Sequence, residues 1–167
     1  QGGSVGDSIC EPDLKETALS LLEKATKKNV SVQLPIDVKI ADALDNEAQI
    51  KTAPVSEIPD NWMAHDCGPK SLESFGDVVR QAKTILWNGP LGVFEMERFA
   101  EGTIGLGKQI ASSTAQGAYS LVGGGDSVAA VKRFGLENQM SYVSTGGGAM
   151  LESLEGKQLP GIAALLS

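Results

Sequence analysis

Three stretches of this chain carry residues whose types and spacing could do chemistry. The first is Leu121-Val122-Gly123-Gly124-Gly125-Asp126-Ser127, and the second is Ser144-Thr145-Gly146-Gly147-Gly148-Ala149. Each follows a short apolar, β-prone run and precedes a segment with helical spacing. A glycine-rich turn between strand and helix leaves backbone N–H groups free at the helix N-terminus, where the helix dipole also favours an anion. The first triplet reads in two ways. It is either a turn with Asp126 or Ser127 as N-cap, or a phosphate cradle. In the cradle, Gly123, Gly124 and Gly125 offer amides, Ser127 adds a hydroxyl and Asp126 holds Mg²⁺, which favours a carboxylate beside phosphate oxygens and water. Three successive glycines are entropically costly, so Gly146, Gly147 and Gly148 point to a close backbone approach. Two such turns in one small domain predict a protein that handles phosphate groups twice. The third stretch, Trp87-Asn88-Gly89-Pro90-Leu91-Gly92-Val93-Phe94-Glu95, adds an amide side chain, apolar surface and a carboxylate. A nucleoside needs such a flat apolar slot and an acceptor for ribose hydroxyls.

Two other glycine patterns are excluded. A dinucleotide fingerprint would need a third glycine at Val128 and an acidic residue near Thr145, and neither is present. Gly102-Thr103-Ile104-Gly105-Leu106-Gly107-Lys108-Gln109 has the P-loop spacing up to its lysine. Gln109 then stands where a Ser or Thr should meet Mg²⁺, and the preceding residues read as helix, not strand.

Alternating strands and helices must position these loops. The spacing predicts a helix over 12–28, with Leu14, Ala18, Leu21, Leu22 and Ala25 on one face. Val32, Leu34, Ile36, Val38 and Ile40 alternate as in a strand, limited by Pro35. Residues 41–62 read as a polar excursion with little core. A helix over 69–82, a strand at 84–87 and a helical stretch over 95–115 interrupted by Gly102, Gly105 and Gly107 follow. A strand at 119–122 then leads through the first triplet into a helix ending near Arg133. The last strand, 141–144, leads through the second triplet into a helix ending at Leu154. This order predicts a parallel sheet with helices on both faces and ligands at the carboxyl ends of its strands. The loops starting at Asn88, Gly123 and Gly146 then share one edge.

The 167 residues, 41% of them hydrophobic, are enough for one buried core. A net charge of −7 argues against nucleic acid or an anionic membrane as partner, and no run of about 18 apolar residues could span a bilayer. Phosphate ligands remain open, because amides, dipoles and a metal ion hold them without a cationic surface. Cys10 and Cys67 have no metal-type spacing and read as free thiols in a reducing compartment. His65, the one histidine, reads as a loop or surface residue. Gln1-Gly2-Gly3-Ser4 fits neither a signal nor a transit peptide and reads as a point within a longer protein.

Trp87 to Glu95, Phe99-Ala100-Glu101-Gly102-Thr103, Gly123 to Ala130 and Ser144 to Pro160 together strongly resemble the phosphoglycerate kinase family. Leu34-Pro35-Ile36-Asp37-Val38 and Asp66-Cys67-Gly68-Pro69-Lys70-Ser71 fit it too. The resemblance implies a Rossmann-like three-layer α/β/α fold with a mainly parallel sheet. It places residues 1–167 as an incomplete C-terminal, nucleotide-binding domain of a two-domain kinase. The implied reaction is reversible phosphoryl transfer between 1,3-bisphosphoglycerate and Mg-ADP, giving 3-phosphoglycerate and ATP. By resemblance, Asn88 approaches the nucleotide phosphates, Pro90 and Val93 flank base and sugar, and Glu95 takes the ribose hydroxyls. Gly124 and Gly125 line the phosphates, Asp126 holds Mg²⁺, Ser127 contacts phosphate, and Gly146, Gly147 and Gly148 receive the phosphoryl group in flight. The glycerate substrate would be held by an N-terminal domain, so this chain alone is expected to be inactive. The full-length protein is expected to be a monomer in the cytoplasm, or in a plastid in a photosynthetic eukaryote. A stand-alone nucleotide-binding module without catalysis is the alternative.

Overall fold

Three parallel strands set the three loops side by side. In the computed structural model, which describes residues 3–166, the elements run as follows. They are β1 (Ser4–Val5), α1 (Lys15–Lys27), β2 (Asp37–Ala41), β3 (Ile50–Pro54), β4 (Glu57–Ile58), β5 (Met63–Cys67), α2 (Pro69–Gln81) and β6 (Thr84–Asn88). There follow α3 (Glu101–Ala115), β7 (Tyr119–Gly123), α4 (Gly125–Arg133), β8 (Tyr142–Val143), α5 (Gly147–Leu154) and α6 (Pro160–Leu166). Gln1 and Gly2, read above as a point within a longer protein, lie outside the described residues, as does Ser167.

β6, β7 and β8 form a parallel sheet in that order, with Asn88 opposite Gly123 and Val122 opposite Val143. The Ser144 N–H adds a bond to the Val122 carbonyl at 2.7 Å. The alternation of β6 decides which face is core. Ile85 and Trp87 point inward and join Ile110 and Ala111 of α3, Val122 of β7 and Val131 of α4 in one cluster. Burying that apolar surface is the main force holding the sheet to its helices. The outward face carries Leu86, Tyr119 and Tyr142, all exposed. The fold is thus mixed α/β with a parallel sheet, and α3 and α4 cover the same side of it.

The first half of the chain departs from the sequence reading in three places. The expected strand from Val32 begins only at Asp37. Pro35 removes one donor, and the N–H groups of Ile36 and Asp37 go to the Ser71 hydroxyl at 2.9 and 3.0 Å rather than to a neighbouring strand. The polar excursion carries two strands, β3 and β4: β3 pairs antiparallel with β2, whose other edge pairs antiparallel with β5, and β4 pairs parallel with β1. It also contributes buried Ala48, Ala53 and Ile58. Ala53 is the one buried residue of β3, so no apolar alternation marked that strand. The apolar face of α1 buries no residue among those described, and Leu14 and Leu21 are exposed.

Asp37 ties this antiparallel sheet to α2. Its carboxylate accepts bonds from the Ser71 N–H at 2.7 Å and the Lys70 N–H at 3.1 Å, and the Ser71 hydroxyl donates to it at 2.7 Å. Burial works against its charge, but the bonds from Ser71 and Lys70 outweigh that and hold its pKa below 3.8. The carboxylate thus caps the first turn of α2, whose N-terminus has no cap of its own. Further on, α3 is continuous across Gly102, Gly105 and Gly107, where the sequence predicts interruptions. These glycines are contact points against Asp66, Leu72 and Leu136 respectively. Cys10 and Cys67 are both free, and burial pushes the Cys67 thiol up to about 12, too high for a nucleophile. No helix among the described residues is long and apolar enough to cross a membrane.

Candidate functional site

The two glycine turns are one site. A Cβ on Gly147 would strike the backbone N and Cα of Gly124. The start of α5 therefore lies directly on the turn that starts α4. Gly124 itself has φ +88°, a left-handed conformation that side chains resist, and its missing Cβ would stand 2.5 Å from the Asn88 Oδ1. Asn88, Gly124 and Gly147 are thus stacked at the carboxyl ends of adjacent strands. Only glycine lets two backbones and one side-chain amide approach so closely.

Both helices begin uncapped. No side chain caps α4 or α5, so the first N–H groups of each are without the partner a helix end needs. Nothing stands within 4 Å of a Cβ placed on Gly125 or Gly148. Two positive helix ends therefore converge on open space. That arrangement suits an anion, which can replace water on the exposed N–H groups. Asp126, in the first turn of α4, is exposed, and its carboxylate makes no hydrogen bond or ion pair among the described residues. No cluster of three or more His, Cys, Asp or Glu side chains able to hold a metal occurs there either. Any metal at Asp126 must take most of its ligands from an anion and from water.

Ser127 is 1% exposed, and its hydroxyl accepts the Gly89 N–H at 2.5 Å. It ties the first triplet to the loop after β6 and has one proton left to donate. The Trp87 indole N–H holds the Gly89 carbonyl at 2.7 Å from the other side. Beyond Gly89, residues 90–93 form one wall of a cavity of about 500 Å³, completed by Val38, Ala64 and His65 among others. Pro90 and Val93 thus flank an apolar slot within two to five residues of Asn88. Glu95 is exposed, next along the loop, and is not part of that wall.

His65 corrects the sequence reading. It lies in β5, half-buried, with its ring centroid 4.8 Å from that of Phe99. Its Nε2 is buried and unpartnered among the described residues. Burial holds its pKa below the ordinary 6.5. The unfolded chain therefore takes up the proton first as pH falls. The stability that neutral His65 confers is complete above 6.5 and is lost as pH falls through the lower folded value. His65→Leu is expected to raise stability by roughly 1 kcal/mol, because it removes an unsatisfied buried nitrogen. It should also flatten the pH dependence of the melting temperature below 6.5, as scanning calorimetry at stepped pH would show.

Residues 1–157 match the family profile described as phosphoglycerate kinase. The chain belongs to the phosphoglycerate kinase family. It is 53% identical over 164 residues to the phosphoglycerate kinase of Porphyromonas gingivalis and 52% identical over 165 residues to the cytosolic phosphoglycerate kinase of Nicotiana tabacum. These alignments cover 98% and 99% of the chain but 39% and 41% of the relatives. Among solved structures, phosphoglycerate kinase from Coxiella burnetii superposes with a TM-score of 0.91 at 48% identity, over 98% of this chain and 41% of that one. The enzyme from Pyrococcus horikoshii superposes at 0.74 with 28% identity, over 99% of this chain and 40% of that one. The chain therefore spans about two fifths of the phosphoglycerate kinases it matches.

Within that family frame, the sequence reading missed the part of the cavity supplied by Val38, Ala64 and His65. No local signal marks Met63-Ala64-His65-Asp66-Cys67 as a lining strand. It joins the loop through the Val93 N–H, which donates to the His65 carbonyl at 2.9 Å, and through Asp66, which packs against Gly92.

Proposed function

We propose that this chain supplies the Mg-nucleotide half of a phosphoglycerate kinase site. The reaction is reversible phosphoryl transfer between 1,3-bisphosphoglycerate and Mg-ADP, yielding 3-phosphoglycerate and ATP. The observation that carries this reading is the contact of Gly147 with Gly124, which merges two uncapped helix N-termini into one anion-binding junction beside an apolar slot.

The apolar wall of Pro90 and Val93 takes the base and sugar, and exposed Glu95 accepts from ribose hydroxyls. Asn88 and the amides of Gly123, Gly124 and Gly125 meet the phosphates. Ser127 sets Gly89 and offers its remaining proton. Asp126 fits Mg²⁺ as a lone carboxylate with no competing partner, the rest of the coordination coming from phosphate oxygens and water. The bound ion would neutralise phosphate charge. The N–H groups of Gly146, Gly147 and Gly148 face the phosphoryl group as it moves, where fixed donors stabilise spreading negative charge without reorganising.

The glycerate ligand belongs to a part of the enzyme outside these residues. The isolated chain is accordingly expected to give no turnover, and the full-length protein to be a cytoplasmic monomer. A coupled assay of ATP consumption with 3-phosphoglycerate tests the division: no turnover by the chain is expected, and robust turnover would overturn it.

A further inference from the structure

We propose that Thr103 is the positioning residue of the loop from Gly89 to Val93, holding Pro90 and Val93 in the shape a nucleotide base meets. The proposal rests on the nucleotide reading above. It starts from the loop's backbone donors. Pro90 has none. The Gly89 N–H goes to the Ser127 hydroxyl at 2.5 Å, and that of Val93 to the His65 carbonyl at 2.9 Å. The two between them, Leu91 and Gly92, both donate to the Thr103 Oγ1, at 3.1 and 3.3 Å. One hydroxyl therefore fixes the middle of the loop.

That hydroxyl is well placed to act as a fixed post. Thr103 is fully buried in the first turn of α3. The residue before it, Gly102, donates its N–H at 2.8 Å to the Asp66 Oδ2, and Asp66 is 3% exposed. The remaining Asp66 oxygen accepts from the Cys67 N–H at 2.8 Å and crowds the Gly92 Cα, where a Cβ would collide with it. Loop, helix and strand are locked through two buried polar side chains, so the loop's position depends on groups that no nucleotide touches.

The consequence separates two kinds of recognition. Every N–H of residues 89–93 is already used inside the protein, so the loop offers a ligand apolar surface and no N–H donor. The glycine turns offer N–H groups and are tied to Thr103 by no bond. Loss of the Thr103 hydroxyl should therefore weaken what the base contributes and spare what the phosphates contribute.

The test titrates the whole 167-residue chain calorimetrically with Mg-ADP and with Mg-tripolyphosphate, which has no base. Thr103→Val is expected to weaken Mg-ADP by about tenfold while tripolyphosphate stays within about twofold, and Thr103→Ser is expected to restore Mg-ADP. Equal Mg-ADP affinity in Thr103→Val and the unsubstituted chain overturns the proposal. So does equal weakening of both ligands, which marks a purely structural role. Amide exchange in the unsubstituted chain checks the anchor without any variant: slow exchange at Leu91 and Gly92 is expected, and fast exchange at both overturns it. Absence of Mg-ADP binding by the unsubstituted chain overturns the nucleotide reading itself, and this inference with it. If the unsubstituted chain binds Mg-ADP and Thr103→Val binds it equally, only the positioning role falls.

Discussion

Gly147→Ala is expected to weaken Mg-ADP binding by about 100-fold or more and to lower stability by about 1–3 kcal/mol. The added methyl would overlap the N and Cα of Gly124. Those are backbone atoms and cannot rotate aside. Gly124 is itself confined, with a φ of +88° and the Asn88 Oδ1 close against it. Relief requires α5 to slide away from α4, which separates the two helix ends that make the junction. Gly148→Ala is the control. Its Cβ meets nothing within 4 Å, and alanine is the better helix former, so stability should hold or rise slightly. Thermal melts and calorimetric titrations of both variants, side by side, separate a lost junction from a general intolerance of side chains in the turn.

Asp126→Asn is the second large effect. The amide keeps the size and the helix position but lacks the charge that a hard cation requires. The enhancement of ADP binding by Mg²⁺ should disappear, a loss of about tenfold or more at saturating metal. ADP without metal should bind the variant at least as well as the unsubstituted chain, because a negative charge near its phosphates is gone. The melting temperature should change little, since Asp126 is exposed and engages no protein group among the described residues. Paired titrations with and without Mg²⁺ report the difference directly. An unchanged Mg²⁺ effect in the variant would place the metal elsewhere.

The glycine turns between strand and helix were legible because each breaks strand periodicity with glycine and then starts helical spacing. A parallel sheet follows from that order, and it places the loops after β6, β7 and β8 at one edge. The contact between Gly124 and Gly147 was not legible. It depends on the register of β7 against β8, which no local pattern encodes. Ser127 was read as a phosphate contact; what the structure shows is a buried tie from its hydroxyl to Gly89, which no local pattern marks. The strands at 50–54 and 63–67 escaped notice because their buried residues are small or polar. The first is held by its ladder to β2 and by Ala53 packing with Val38 and Ile40, the second by His65 packing on Phe99 and by the buried Asp66 carboxylate. Thr103 was visible only within a rejected P-loop pattern and a family motif. Its bond to a loop some ten residues upstream is a tertiary fact.

The measurement that bears most directly on a merged Mg-nucleotide site is an amide chemical-shift titration of the chain with Mg-ADP. Saturable shifts are predicted at Gly125, Asp126, Gly147 and Gly148 together with Val93, all with one dissociation constant. Shifts absent from both glycine turns, or confined to the cavity beside Ile36 and Lys70, would contradict it.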